Sequence, residues 1–291
     1  MQSFILTLQQ MPAAYYALAL LFGLCVGSFL NVVIHRLPKM LERAWQAEAK
    51  SVLAMEAPDD QAPYNLAVPR SACPSCGHNI RWFENLPVIS YLFLRGRCSA
   101  CGTAIGRRYP LVELLTAALT LCVALTIPPS LAAVLWMVFI WALVALTFID
   151  LDTQLLPDQI TLPLLWLGLL FHLTADSGLP IEDAVMGATA GYLSLWLVFH
   201  AFRLLTGKEG MGYGDFKLFA AFGAWFGWQA LPLIILLSSL VGAVAGLLMM
   251  LILGRDRQIP IAFGPYLCGA ALVYLFWGEE LVQGYLAWAL G

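Results

Sequence analysis

The chain has 291 residues, 61% hydrophobic and only 11% charged, with a mean hydropathy of +0.80 and a formal net charge of −3. A soluble domain carries about 25% charged residues, so the composition excludes an ordinary globular enzyme and, lacking any basic excess, gives no reason to expect nucleic acid as a partner. It defines a polytopic membrane protein.

No Lys or Arg precedes the first apolar run and no small-residue cleavage site follows it, so Tyr15 to Ile34 reads as a spanning helix and not as a signal peptide. Further apolar runs fall at 110–127, 131–149, 155–174, 184–205, 215–230, 231–253 and 261–277. The expected fold is an all-α polytopic membrane protein of about eight transmembrane helices. All 15 Lys and Arg fall between spans 1 and 2, around spans 5 and 6, or between spans 7 and 8. Those loops are therefore expected to be cytoplasmic, and both termini periplasmic.

Three regions follow: a first transmembrane helix at 1–35, a cytoplasmic domain at 36–108, and a seven-helix membrane core at 109–291. Lys39 to Glu56 alternates charge with Leu41, Trp45, Val52 and Leu53 at helical spacing. It predicts an amphipathic helix resting on the membrane surface or on the domain's own small core, ended by Pro58-Asp59-Asp60. No internal repeat or low-complexity segment is evident. Cys73-Pro-Ser-Cys76-Gly and Cys98-Ser-Ala-Cys101-Gly then form two CxxC turns. Their spacing predicts one structural zinc with four sulfur ligands, in a module too small for a core of its own. Two disulfides are the alternative, disfavoured in a reducing cytoplasm. Cys25, Cys122 and Cys268 lie in spans and read as packing residues.

The informative carboxylates lie at the ends of spans. A charge at the edge of hydrocarbon costs roughly 2.5–3.5 kcal/mol, so such groups are functional by default. Asp150 follows Leu146-Thr-Phe-Ile149, Asp152 lies two residues on, and Asp158 follows Pro157 as a cap for span 4. Burial favours Asp150 but leaves Asp152 open. Asp215 follows Gly207 to Gly214, a stretch with four glycines that lets backbone approach a substrate, in which Gly212 and Gly214 are the nearest. Capping of span 6 is its structural alternative. Glu113 is placed to pair with Arg107 or Arg108. Pro260, Gly264 and Pro265 predict either an irregular segment ahead of span 8, on the same face as the acids and bordering their cleft, or an ordinary proline-rich helix start. Arg95-Gly96-Arg97, beside the second CxxC turn, could meet an anionic cofactor group or be a solvated turn.

Taken together, Gly27-Ser-Phe-Leu-Asn31 through Arg36-Leu-Pro38, the double CxxC, Arg108-Tyr-Pro-Leu-Val-Glu113, Ile149-Asp150-x-Asp152-x4-Pro157-Asp158 and Gly-x-Gly-Asp215 resemble the bacterial type IV prepilin peptidases. The likeness covers nearly the whole chain and extends, more distantly, to intramembrane aspartyl proteases sharing Gly-x-Gly-Asp. It implies an inner-membrane enzyme that removes the short basic leader of prepilins and type II secretion pseudopilins, then methylates the new N-terminus from S-adenosylmethionine. It also implies Asp150 and Asp215 as the catalytic pair, since the family pattern places Leu-Pro after Asp and five residues, matched by Leu156-Pro157. Other classes fit less well. A proton-coupled transporter predicts mid-bilayer acids and inverted repeats, a zinc hydrolase needs an open coordination position, and a methyltransferase alone leaves the acids unused. No glycine-rich fingerprint locates a S-adenosylmethionine site.

Overall fold

The computed structural model describes residues 2–53, 63–174, 178–253 and 262–290. Among the described residues all elements longer than an isolated bridge are helical, and the chain forms two compact units, Met1–Ala145 and Leu146–Gly291. The eight apolar runs all coincide with helices. Among the described residues, five stretches are long and apolar enough to cross a membrane: Pro12–Val52, Arg108–Thr126, Leu131–Thr153, Ile181–Thr206 and Trp228–Ile252.

In the first unit a short helix not foreseen from sequence, α1 (Gln2–Gln10), precedes α2 (Pro12–Val52). Pro12 opens α2, where a missing amide is harmless. The 41 residues of α2 extend about 62 Å, twice the hydrocarbon thickness, so one end must leave the bilayer. The stretch expected to form an amphipathic helix at 39–56 is helical through Val52, where it continues α2 directly past Pro38. Its run of Leu, Glu, Arg, Ala, Gln and Lys consists of strong helix formers, which carry the helix past the proline. The expected stop at Pro58-Asp59-Asp60 lies outside the described residues.

Beyond it come α3 (Ile89–Phe93), α4 (Arg108–Thr126) and the start of α5 (Leu131–Thr153). Helices α2 and α4 meet backbone to backbone. A Cβ on Gly23 would lie 2.8 Å from the Ala117 Cα, and one on Gly27 2.7 Å from the Glu113 Cα. Gly23-x3-Gly27 is the small-residue spacing that lets membrane helices approach closely. Buried hydroxyls stay satisfied: Thr116 donates to the Val112 carbonyl, and Trp141 Nε1 donates to Thr120 at 2.9 Å.

The second unit holds the end of α5 with α6 (Asp158–Thr174), α7 (Ile181–Thr206), α8 (Tyr213–Phe226), α9 (Leu231–Leu253) and α10 (Gly264–Leu290). Helix α8 is its centre, with Phe216, Phe219, Phe222 and Trp225 all buried. At 14 residues it is about 21 Å long, shorter than the roughly 30 Å of a hydrocarbon core, and it is capped by Gly227 (φ 79°). Helix α7 packs on it through Gly187 and Gly223, whose backbones touch, and through Gly191 against the Phe219 carbonyl. Trp225 donates to the Leu164 carbonyl of α6 at 2.9 Å, and Phe171 stacks on its ring.

Candidate active site and cysteine module

Four helix ends in the second unit converge around two carboxylates. Helix α5 stops at Gln154, which takes a left-handed conformation (φ 54°) and returns its amide to the Asp150 carbonyl. Asp150 therefore sits in the last turn of α5, only 5% exposed, whereas Asp152 is exposed. Burial thus separates the two acids that sequence reading alone left open. The amide of Gly264, first residue of α10, donates to Asp150 Oδ2 at 2.9 Å. Asp215, 6% exposed, is the third residue of α8 and reaches back to accept the Gly212 amide at 3.2 Å through Oδ2. Its capping role is real, but it caps from inside the helix; Gly212 holds the N-cap position. Both acids face the positive end of a helix dipole.

The two carboxylates lie within electrostatic reach of each other. Each has one oxygen bonded to a backbone amide. Leu156 sits between the two loops. A Cβ on Gly214 would meet Leu156 Cβ at 2.7 Å, and one on Gly264 would meet Leu156 Cδ2 at 3.1 Å and Asp150 Oδ2 at 2.6 Å. Gly212 has more room, with Asp215 Oδ2 at 3.6 Å from its would-be Cβ. The irregular segment expected before span 8 is largely helical where described: α10 starts at Gly264 with Pro265 in its first turn, and Pro260 lies outside the described residues.

One contact here escaped the sequence reading. Lys217, one half-turn beyond Asp215, donates to both Asp158 oxygens at 2.7 Å and ties the start of α8 to the start of α6. Asp158 was expected only to cap. Beneath the acids, Cys268 of α10 is fully buried against Thr147 of α5.

In the first unit the two CxxC turns are copies of one structure offset by 25 residues, a short repeat that the sequence reading passed over. Bridges Ala72↔Asn79 and Arg97↔Ala104 close the turns. In each, the glycine after the second cysteine adopts φ near 70° and returns its amide to the first cysteine, Gly77 to Cys73 and Gly102 to Cys98, both at 2.9 Å. That conformation is cheap for glycine alone. All seven cysteines are free thiols. The four Sγ atoms of Cys73, Cys76, Cys98 and Cys101 lie within 4.8 Å of one another, with Cys73–Cys101 at 3.8 Å and Cys76–Cys98 at 4.0 Å. A tetrahedron with metal–sulfur bonds of about 2.3 Å has edges of about 3.8 Å, so the cluster fits a metal ion.

The module biases its thiols unequally. The Cys76 and Ser75 amides lower Cys73, and the Thr103 hydroxyl and amide bring Cys101 down to about 6. Cys76 goes the other way, to about 12: the His78 amide favours its thiolate, but desolvation and the neighbouring sulfurs outweigh it. Glu84 joins the two turns. It accepts the Ser99 hydroxyl and the Arg81 amide and faces His78 Nε2 at 3.3 Å, contacts that hold it at about 2. Arg95 (φ 52°) and Arg97 are exposed, while Gly96 is buried with its would-be Cβ 2.9 Å from the Tyr91 ring. Glu113, expected to meet Arg107 or Arg108, accepts the Val88 amide at 2.8 Å and the Ser28 hydroxyl.

A multi-pass helical membrane protein with a buried pair of acids at helix ends and a four-cysteine module on its first loop is the class that these features define. Residues 21–127 match the family described as Bacterial Peptidase A24 N-terminal domain, and residues 137–247 match the Type IV leader peptidase family. The chain is 57% identical to the "Prepilin leader peptidase/N-methyltransferase" of Aeromonas salmonicida, over 95% of this chain and 96% of that protein. It is 57% identical to that of Aeromonas hydrophila (95% of each chain) and 54% identical to that of Pseudomonas aeruginosa (96% of each). No solved structure matches the chain. The chain belongs to the type IV leader peptidase family.

Proposed function

We propose that this protein cleaves the leader of type IV prepilins and type II secretion pseudopilins at the cytoplasmic face of the inner membrane, then N-methylates the new N-terminus. The names of its relatives support both activities. The observation that carries the protease reading is the burial of Asp150 and Asp215 at helix ends that both meet Leu156, each acid held through one oxygen by a backbone amide. One carboxylate, ionised, takes a proton from water as the oxygen attacks the scissile carbonyl. The other, protonated, polarises that carbonyl and passes its proton to the departing amine. Two carboxylates that interact in this way share one proton, and their titration belongs to the pair. Gly212, Gly214, Gly264 and Pro265 would form the wall along which an extended substrate backbone lies.

Cys73, Cys76, Cys98 and Cys101 would hold one zinc ion. With all four positions taken by protein the ion has no place for water, and its role is to hold the module together. S-adenosylmethionine would be the methyl donor, with Arg95, Gly96 and Arg97 as candidates for its carboxylate. Processing of a prepilin in membranes containing the protein, with the mass of the product's N-terminus, tests the whole reading. An unprocessed prepilin would remove it, and a cleaved but unmethylated product would remove the second activity.

A further inference from the structure

We propose that Trp82–Phe93 is a membrane-interface anchor, an apolar segment that sinks into the lipid headgroup layer and seats the cysteine module on the bilayer. Six large apolar residues in this stretch are exposed: Trp82, Phe83, Leu86, Ile89, Leu92 and Phe93. Trp82 is 79% exposed, Leu92 69% and Phe93 84%, more than a water-facing surface tolerates so densely. Glu84 is the one charged residue within it, and its carboxylate is turned to Ser99, Arg81 and His78. The outward side of the segment is thus uncharged.

What covers this surface follows from where it is tied. Val88 is β-branched yet held at φ 58°, a conformation that persists only when the surroundings impose it. The restraint is the Glu113 carboxylate, which accepts the Val88 amide at 2.8 Å. Glu113 is the sixth residue of α4, about 7.5 Å along a helix of membrane-crossing length and composition. The latch therefore brings the middle of the apolar segment to the depth of the first turns of a span. A protein domain resting in water could not reach that level. Aromatic residues favour this layer, and exposed Arg81 and Arg107, at the two approaches, suit lipid phosphates.

The test uses the full-length protein in nanodiscs of phosphatidylethanolamine and phosphatidylglycerol. Trp82 or Phe93 is replaced by p-benzoyl-L-phenylalanine, and products of irradiation are read by mass spectrometry. Phospholipid adducts at both positions are expected, with at least a fivefold lower yield at Gln46, exposed on α2 about 15 Å beyond Arg36. The unlabelled protein gives a second reading. The emission lost in Trp82→Phe, which isolates Trp82, should fall by more than half when the lipids carry bromine near the headgroup. Adducts only to protein, whether this chain, a second copy or added prepilin, would overturn the proposal. So would no adduct, equal lipid adducts at Gln46, or Trp82 emission indifferent to bromine.

Discussion

Gly264→Ala is the smallest change that should damage the acid pair. The new methyl carbon would stand 2.6 Å from Asp150 Oδ2 and 3.2 Å from its Cγ, where ordinary contact begins at 3.4 Å. Clearing it moves the carboxylate by about 0.8 Å, and Leu156, 3.1 Å away on another side, narrows the direction in which relief is available. The same motion strains the 2.9 Å bond from the Gly264 amide. Misplacing a reacting group by about 1 Å can cost on the order of 10²-fold in rate, equivalent to about 2.7 kcal/mol of barrier. Alanine also favours helix at the first position of α10, so protein abundance should not fall. Initial rates of prepilin cleavage by purified enzyme, with Gly269→Ala on the same helix as the control, provide the measurement. A Cβ on Gly269 would meet nothing within 4 Å, so that variant should stay within about threefold of wild type. A Gly264→Ala enzyme within threefold of wild type, or a Gly269→Ala enzyme equally crippled, would refute the steric argument.

Asp150→Asn and Asp215→Asn should each abolish cleavage, whereas Asp152→Asn, at an exposed position, should keep substantial activity; wild-type processing by either dyad variant would end the pairing model. Metal analysis should find about one zinc per chain, lost in the Cys73→Ser/Cys76→Ser variant, and a metal-free preparation that cleaves normally would show that the ion is dispensable. Glu84→Ala should weaken zinc retention against a chelator by roughly 10–100-fold, as loss of a group that orients ligands does; unchanged retention would leave Glu84 as a bystander. Asp215→Ala should still methylate a pre-cleaved pilin, and loss of methylation there in every dyad variant would argue for one shared site.

Apolar runs made the helices legible, because a spanning helix must satisfy its backbone internally and keeps few charges. The CxxC spacing likewise exposed the sulfur cluster, since each turn is local in sequence. Continuity through Pro38 was not legible: proline argues locally for a break, but the strong helix formers after it decide the outcome. Contacts between distant helix ends were also hidden. Lys217 and Asp158 are 59 residues apart, and Asp150 and Gly264 are 114 apart, so nothing in either local pattern announces the partner. Glu113 was misread for the same reason. Its neighbouring arginines were visible in the chain, but the Val88 amide, 25 residues away, was not.

Both acids of the pair are held by peptide N–H groups, those of Gly212 and Gly264, and not by another side chain. A peptide donor is never lost by exchange of the residue that carries it, except for proline. Mutational drift can therefore disturb the pair by crowding it but scarcely by stripping it of donors. Nor do peptide groups titrate in the working range, so the donors keep the same form at every pH. A pH profile of cleavage should thus report the shared proton of the acids themselves, unblurred by ionisation of the groups that fix them.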